Sequence, residues 1–204
     1  SEIKEIIDSW VLAAKRAELA GFDALEIHSA HGYLSHSFLS PISNKRTDIY
    51  GGSRENRMRF TLDLAEAVRA VWPEGKPLFI RLSTVDGKEG GWDIDDSIAL
   101  TRILSDIGVD VIDCSSGAIA AAGKNTLPTP TPGYQVSFSS EIRNKAQILT
   151  QAVGLITDPS QAETILRSGQ ADLVALAREA LYNPFWPLHA AQALNADIDF
   201  QIWP

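Results

Sequence analysis

Three histidines and a tyrosine lie within nine residues near the start of the chain, directly after a short apolar segment. His28 and His31 are three residues apart, Tyr33 follows two residues later, and His36 comes soon after. These side chains fit three kinds of chemistry. They suit an ordinary hydrogen-bonded loop, a metal site built from neutral imidazoles, or a donor pair for an oxyanion with Tyr33 as proton donor. The sequence shows no carboxylate or thiolate that would complete a catalytic metal shell, so no metal is predicted.

Two more reactive side chains follow later apolar segments. Arg81 lies near the end of the segment 77–83. A guanidinium at the mouth of a sheet is costly unless it meets an anion or an electron-rich acceptor, and a salt bridge to Asp113 is the simpler alternative. Cys114, the single cysteine, has no base beside it in the sequence. We therefore predict that this thiol is buried and unreactive.

The last two predicted strands end in small residues and lead into helices. Gly154 and Leu155 end one strand, and Ala177 and Arg178 follow the other. Small residues let backbone N–H groups approach a ligand, a helix N-terminus favours negative charge, and arginine adds a bidentate donor. The pattern indicates a phosphate site, although tight backbone packing would also explain the small residues.

Apolar periodicity alternates between strand and helix along the whole chain, which predicts one α/β domain over residues 1–204 with a parallel sheet. An open doubly wound sheet and a (β/α)₈ barrel both have this pattern. The near-continuous apolar strands predict a sheet covered on both faces. The predicted strands are 23–28, 77–83, 109–114, 151–155 and 172–176; the predicted helices are 2–20, 53–72, 93–107, 139–146, 158–169 and 184–194; residues 29–52 and 117–137 are predicted loops.

Composition and charge narrow the class of partner. The 204 residues include 18 Lys and Arg against 26 Asp and Glu, a formal charge of −8. An acidic surplus repels phosphate backbones and anionic lipid, so we expect neither a nucleic-acid nor a membrane partner. No apolar run approaches the roughly 20 residues that span a bilayer. One cysteine and no visible secretory signal predict a cytoplasmic protein.

Together these residues resemble the old yellow enzyme family of FMN-dependent oxidoreductases, and especially its branch of bacterial NADPH dehydrogenases and ene reductases. The resemblance rests first on residues 21–60, with the order His-x-x-His-Gly-Tyr-Leu, Leu-Ser-Pro, Asn-x-Arg-Thr-Asp-x-Tyr-Gly-Gly-Ser and Glu-Asn-Arg. Further matches follow in the family's order at 79–83, 90–100, 109–117, 132–143, 153–159 and 172–187.

The resemblance implies a role for each candidate residue. His28 and His31 match the pair that hydrogen-bonds the carbonyl or nitro oxygen of the substrate, and Tyr33 matches the proton donor to the α-carbon. Arg81 matches the arginine beside the flavin pyrimidine. The residues that match the FMN-phosphate cradle are Gly154, Leu155, Ala177 and Arg178, with alanine at 177 where the family usually has glycine. The implied cofactors are FMN and, as reductant, NADPH or NADH, and the implied substrate is a small enone-type molecule.

The resemblance also implies an incomplete TIM (β/α)₈-type barrel of about five βα units, corresponding to its fourth to eighth strands. Open edges on such a sheet predict a homo-oligomer or another association through those edges. Three functional hypotheses stay open: an ene reductase whose other strands come from elsewhere, a truncated product without full catalysis, and a non-catalytic flavin-binding or assembly module.

Overall fold

A five-stranded parallel sheet forms the centre of the protein. The computed structural model describes residues 2–119, 123–197, 199 and 201. The strands are β1 (Leu25–Ser29), β2 (Leu78–Ser83), β3 (Val111–Ser115), β4 (Leu149–Val153) and β5 (Leu173–Ala175). The helices are α1 (Glu2–Leu19), α2 (Leu34–Leu39), α3 (Arg54–Arg69), α4 (Ile94–Ile107), α5 (Val136–Ala146), α6 (Pro159–Arg167), α7 (Arg178–Tyr182) and α8 (Trp186–Ala193).

The order of the strands decides between the two architectures that the sequence leaves open. Each strand pairs in parallel with the next one along the chain, so the sheet order is β1-β2-β3-β4-β5. A doubly wound sheet reverses its strand order at a switch point, whereas a barrel adds strands in sequence. The fold is therefore a partial TIM-type barrel, in which β1 and β5 each pair with a single strand among the described residues.

Local signals explain where the helices begin and end. Ser53 accepts a hydrogen bond from the Asn56 amide at the start of α3, and Asp93 forms a capping box with Asp96 at the start of α4. Gly108 ends α4 with φ +100°, a conformation that costs glycine little. These caps confirm the predicted positions of both helices to within a few residues.

Two expectations about the loops and helices are wrong. The predicted loop 29–52 contains α2, a helix too short for its apolar residues to show a period. Helix α5 begins at Val136, earlier than the predicted start at 139. Ser139 therefore lies inside the helix, where its hydroxyl donates to the Val136 carbonyl instead of capping the helix. The predicted loop 117–137 has neither helix nor strand in its described part before Val136.

The hydrophobic core lies on the side of the sheet that the helices cover. Ile80, Leu82, Ile112 and Cys114 point to this side and are fully buried. The main cluster joins them to α1, α3, α4 and α5, and a smaller cluster lies around Trp186.

The opposite, concave face of the sheet is polar in its middle, which the near-continuous apolar pattern of the strands does not indicate. Since side chains alternate along a strand, the paired row His28, Arg81, Asp113 and Gln151 lies on this face. At its β1 end, this row reaches His28 and the candidate site.

Candidate active site

The chain turns sharply at the end of β1, and this turn gathers three of the predicted site residues. The His28 ring centroid is 5.2 Å from that of His31 and 5.1 Å from that of Tyr33. His31 and Gly32 have φ values of +58° and +75°. A side chain at Gly32 would place its Cβ 2.6 Å from the Ala118 carbonyl oxygen, so this close approach requires glycine.

His31 is held at both its backbone and its ring. Its amide donates to Ser83 Oγ at 2.9 Å, and its Nε2 lies 2.6 Å from Ser115 Oγ. Burial, followed by the positive charge of Arg81, lowers the pKa of His31 to about 4. The imidazole is therefore neutral at pH 7, because protonation in this place would cost desolvation next to a cation.

His28 is also neutral, and its proton position follows from a backbone contact. The Ala30 amide donates to His28 Nδ1 at 3.2 Å, so this nitrogen carries no proton and Nε2 is the donor. Burial lowers the pKa of His28, and the charge of Arg81 acts in the same direction. The side chain of Tyr33 beside it is 64% exposed, which leaves its phenol accessible to a ligand.

A polar network lies below the imidazoles on the concave face. Arg81 Nε is 3.6 Å from Asp113 Oδ2, and Gln151 Nε2 donates to the same oxygen at 3.0 Å. The salt bridge to Asp113, the simpler alternative for Arg81, is thus present. Arg81 Nε and Asp113 Oδ1 are nevertheless buried without a hydrogen-bond partner. Burial, followed by the charge of Asp113, raises the pKa of Glu26 to about 7.

A cleft of about 460 Å³ runs from His31 across the ends of the later strands. It brings together six of the eight candidate residues, and the other two, His28 and Tyr33, line a second cavity with Trp10 and Leu34. The six residues in the cleft are His31, Arg81, Gly154, Leu155, Ala177 and Arg178.

The far end of the cleft has an unusual backbone. Gly154 has φ +129° and Leu155 has φ +52°. A Cβ at Gly154 would lie 2.9 Å from the Tyr134 ring, so glycine is needed there both for its φ and for space. Ala177 lies immediately before α7, and Arg178, its first residue, is exposed.

The residues of the cleft fit a ligand with an anionic end and a polar ring. Arg178 supplies a positive charge at one end, where a phosphate would accept charge-assisted hydrogen bonds. Toward the other end, the buried Arg81 Nε has a hydrogen to donate and no acceptor. This orphaned donor is what one expects at a place where a ligand supplies the acceptor.

Sequence comparison identifies the family. The model of the NADH:flavin oxidoreductase / NADH oxidase family matches residues 1–197, nearly the whole chain. This chain belongs to that family. An NADPH dehydrogenase of Bacillus subtilis is 51% identical over 197 residues, which are 97% of this chain and 56% of the relative. An NADPH dehydrogenase of Clostridium acetobutylicum is 51% identical over 201 residues, 98% of this chain and 58% of the relative.

Two solved structures share the fold. The old yellow enzyme homologue from Zymomonas mobilis is 30% identical with a TM-score of 0.76, and the match covers 94% of this chain and 52% of that protein. Morphinone reductase is 30% identical with a TM-score of 0.76, over 94% of this chain and 49% of the enzyme. The chain thus spans little more than half the length of the relatives it matches.

Within this NADH:flavin oxidoreductase chain, sequence reasoning missed the residues that support the imidazoles. Ser83 and Ser115 contact His31 from the ends of β2 and β3. Gln135 Nε2 donates to the Val153 carbonyl beside the cleft. The two-residue alternation that puts Asp113 on the concave face also puts Ser115 there, and that signal could have identified it.

The other reactive groups have no part in the cleft. Cys114 is fully buried on the helix side of the sheet, and burial raises the pKa of its thiol well above the ordinary value, as predicted for an unreactive cysteine. The described residues contain no group of three or more histidine, cysteine or carboxylate side chains that could hold a metal ion. None of the described helices is long and apolar enough to cross a membrane.

Proposed function

We propose that this chain belongs to an FMN-dependent oxidoreductase that transfers hydride from NADPH or NADH, through FMN, to the activated C=C bond of an α,β-unsaturated carbonyl or nitro compound. One observation carries the proposal: neutral His31 and Arg178 line the same cleft, and the His31 ring is in edge contact with the His28 ring, which in turn contacts the Tyr33 phenol in the adjoining cavity. The names of the NADPH dehydrogenase relatives support the reductant.

The far end of the cleft suits the phosphate of FMN. The Arg178 guanidinium and the backbone around Gly154, Leu155 and Ala177 would hold it. Arg81 would donate through its unpartnered Nε to the pyrimidine side of the ring system. When bound, FMN supplies two-electron hydride chemistry, which side chains alone do not provide.

The imidazoles suit the activation of the substrate. His28 and His31 donate hydrogen bonds to the carbonyl or nitro oxygen and stabilise the negative charge that develops there after hydride reaches the β-carbon. Their lowered pKa values keep both rings neutral, so their hydrogen bonds form without a net charge in the site. Tyr33 then donates the phenolic proton to the α-carbon, which completes the addition of one hydride and one proton.

The decisive experiment records the visible spectrum of the purified chain after incubation with FMN and removal of unbound FMN. We expect bound flavin that NADPH bleaches without oxygen and that cyclohexenone restores. The double variant His28→Ala/His31→Ala should still bind FMN, but it should lose both the restoration and the spectral shift that phenols cause in this family. If the phenol shift survives, the oxyanion site has been placed wrongly.

The phosphate end has its own test. Arg178→Ala should weaken FMN binding by roughly tenfold or more, because a charge-assisted hydrogen bond contributes about 1.5–3 kcal/mol. Arg16→Ala, which removes an exposed arginine from α1, is the matched control and should leave the affinity unchanged. If both variants lose FMN affinity equally, the effect is one of overall charge, and the assignment of Arg178 to the FMN phosphate is wrong.

A second candidate function comes from the length of the match, which covers 56% of the Bacillus subtilis relative. Flavin that binds but does not turn over would favour a non-catalytic flavin-binding module, and no bound flavin would favour a truncated product. We also propose a cytoplasmic reaction, since it draws on reduced nicotinamide, and self-association through the edges of β1 and β5. A monomeric mass in sedimentation would contradict the association.

A further inference from the structure

A second buried histidine lies directly beneath the turn that carries His31 and Tyr33. His36 in α2 places Nε2 2.8 Å from Asp86 Oδ1, and both side chains are completely buried. Asp86 follows β2, fifty residues later in the chain. The proposed chemistry uses neither residue, and an ionisable pair this deep in a protein needs an explanation, because burying it costs desolvation.

The hydrogen bonds of His36 fix its tautomer. The Gly32 amide donates to His36 Nδ1 at 2.9 Å, so this nitrogen carries no proton. The proton is then on Nε2, which donates to Asp86. The ring therefore has one acceptor, Nδ1, facing the backbone and one donor, Nε2, facing a carboxylate.

Asp86 is anchored by two further donors. Its Oδ2 accepts from Ser40 Oγ at 2.6 Å and from the Trp92 amide at 2.7 Å. The Asp86 amide in turn donates to the Trp92 carbonyl at 2.8 Å. Three donors on one carboxylate offset the desolvation cost of burying it. The fixed carboxylate in turn leaves His36 little freedom to rotate.

The contact with Gly32 matters because this residue lies between the two candidate site residues. Its φ of +75° and its approach to the Ala118 carbonyl already restrict it to one conformation. A rotation of the Gly32 peptide would move His31 and Tyr33 in different directions. The His36 acceptor holds that peptide from below.

We propose that His36 and Asp86 form a positioning pair that fixes the Gly32 peptide and thereby sets the spacing of His31 and Tyr33 for ligand binding. This inference rests on the proposed function, since it assigns the pair to that same site. His36 and Asp86 act through the backbone of residues 31–33 and do not touch the ligand.

Two conservative variants separate positioning from general stability. Asparagine at 36 places its Oδ1 near the position of Nδ1, which keeps the acceptor for Gly32 but loses the contact with Asp86. Glutamine places its amide nitrogen near the position of Nε2, which keeps the donor to Asp86 but leaves the Gly32 amide without an acceptor. Each variant loses one hydrogen bond of the pair, so we expect similar falls in Tm.

The readouts should separate the two variants. In the flavin-loaded protein, His36→Gln should weaken phenol binding at least tenfold, measured by the spectral shift, whereas His36→Asn should stay within about threefold of the parent chain. In the flavin-free chain, hydrogen exchange measured by NMR should show the Gly32 amide protected in the parent and in His36→Asn but unprotected in His36→Gln.

The two readouts also separate the failure of this inference from the failure of the proposed function. A parent chain that takes up no flavin contradicts the proposed function, while exchange at Gly32 still decides whether the pair fixes the peptide. If Gly32 stays protected in His36→Gln, or if both variants weaken phenol binding equally, the positioning role is wrong.

Discussion

Glu26 on the concave face of the sheet offers a sharp test of the electrostatics, because its environment opposes its negative charge. Burial and the nearby Asp113 carboxylate raise its pKa from 4.5 to about 7. Burial raises the pKa of Asp113 as well, and its Oδ1 lacks a hydrogen-bond partner. A proton on Glu26 would supply a donor to that carboxylate. The substitution Glu26→Gln replaces this proton with a permanent amide donor.

The direction of the effect follows from proton linkage. The folded chain holds the Glu26 proton up to about pH 7, whereas the unfolded chain releases it near pH 4.5. The stabilisation from protonated Glu26 is therefore complete below pH 4.5 and is lost as the pH rises through 7. At about 1.36 kcal/mol per pH unit, the full difference is at most about 3.4 kcal/mol. Glu26 as a whole is exposed to solvent, and screening therefore reduces the expected effect to roughly 1–2 kcal/mol.

Urea unfolding at pH 5 and pH 8 measures this effect. The parent chain should lose stability between the two values, and Glu26→Gln should lose about 1–2 kcal/mol less. Glu66→Gln, at an exposed position of α3, is the control and should follow the parent. If Glu26→Gln and the parent lose the same stability, Glu26 is already ionised at pH 5 in the folded chain, and the carboxyl pair does not share a proton.

Three other changes test the remaining parts of the structure. The parent chain should lose stability as the pH falls from 6.5 to about 4, because the pKa of His31 is lowered to about 4 and the folded chain resists its protonation. His31→Gln should make this loss smaller, as measured by urea unfolding. Gly154→Ala should lower the free energy of unfolding by about 1–3 kcal/mol and weaken FMN binding, since φ at this position is +129° and the new Cβ would meet Tyr134. The control Gly52→Ala, at a position with φ +83° and open space around it, should leave FMN binding unchanged. Asp158→Ala should lower Tm by about 2–4 °C, because it removes the side-chain cap of α6; an unchanged Tm would contradict that contribution.

The sequence predicted the alternation of strands and helices well, because each element has a local signal of its own. Pro159 at the start of α6 and Gly108 at the end of α4 act within one or two residues of where they stand. The choice between a barrel and a doubly wound sheet has no such signal. It depends on which strands pair, and pairing joins residues that are more than twenty positions apart, such as Arg81 and Asp113.

The same distinction explains what was missed in the candidate site. His28, His31, Tyr33 and Arg81 are unusual residue types at strand ends, so their chemistry identifies them without a structure. A serine hydroxyl is too common for that. Alternation places Ser115 on the same face as Asp113, but only the folded sheet shows that it lies 2.6 Å from His31.

The alternation of side chains along the strands connects the residues that stand out by their type with Ser115, which does not. The row His28, Arg81, Asp113 and Gln151 is polar in every strand that forms it, whereas the neighbouring rows that face the helices are mostly apolar. Covering this row with a helix would cost the desolvation of its charged groups, and Arg81 Nε and Asp113 Oδ1 already lack hydrogen-bond partners. Since the strand order identifies a partial barrel, the polar row lies on the face that would form the barrel interior, where it can meet a ligand. It also places Ser115, two residues beyond Asp113 on the same face, within reach of that ligand's site.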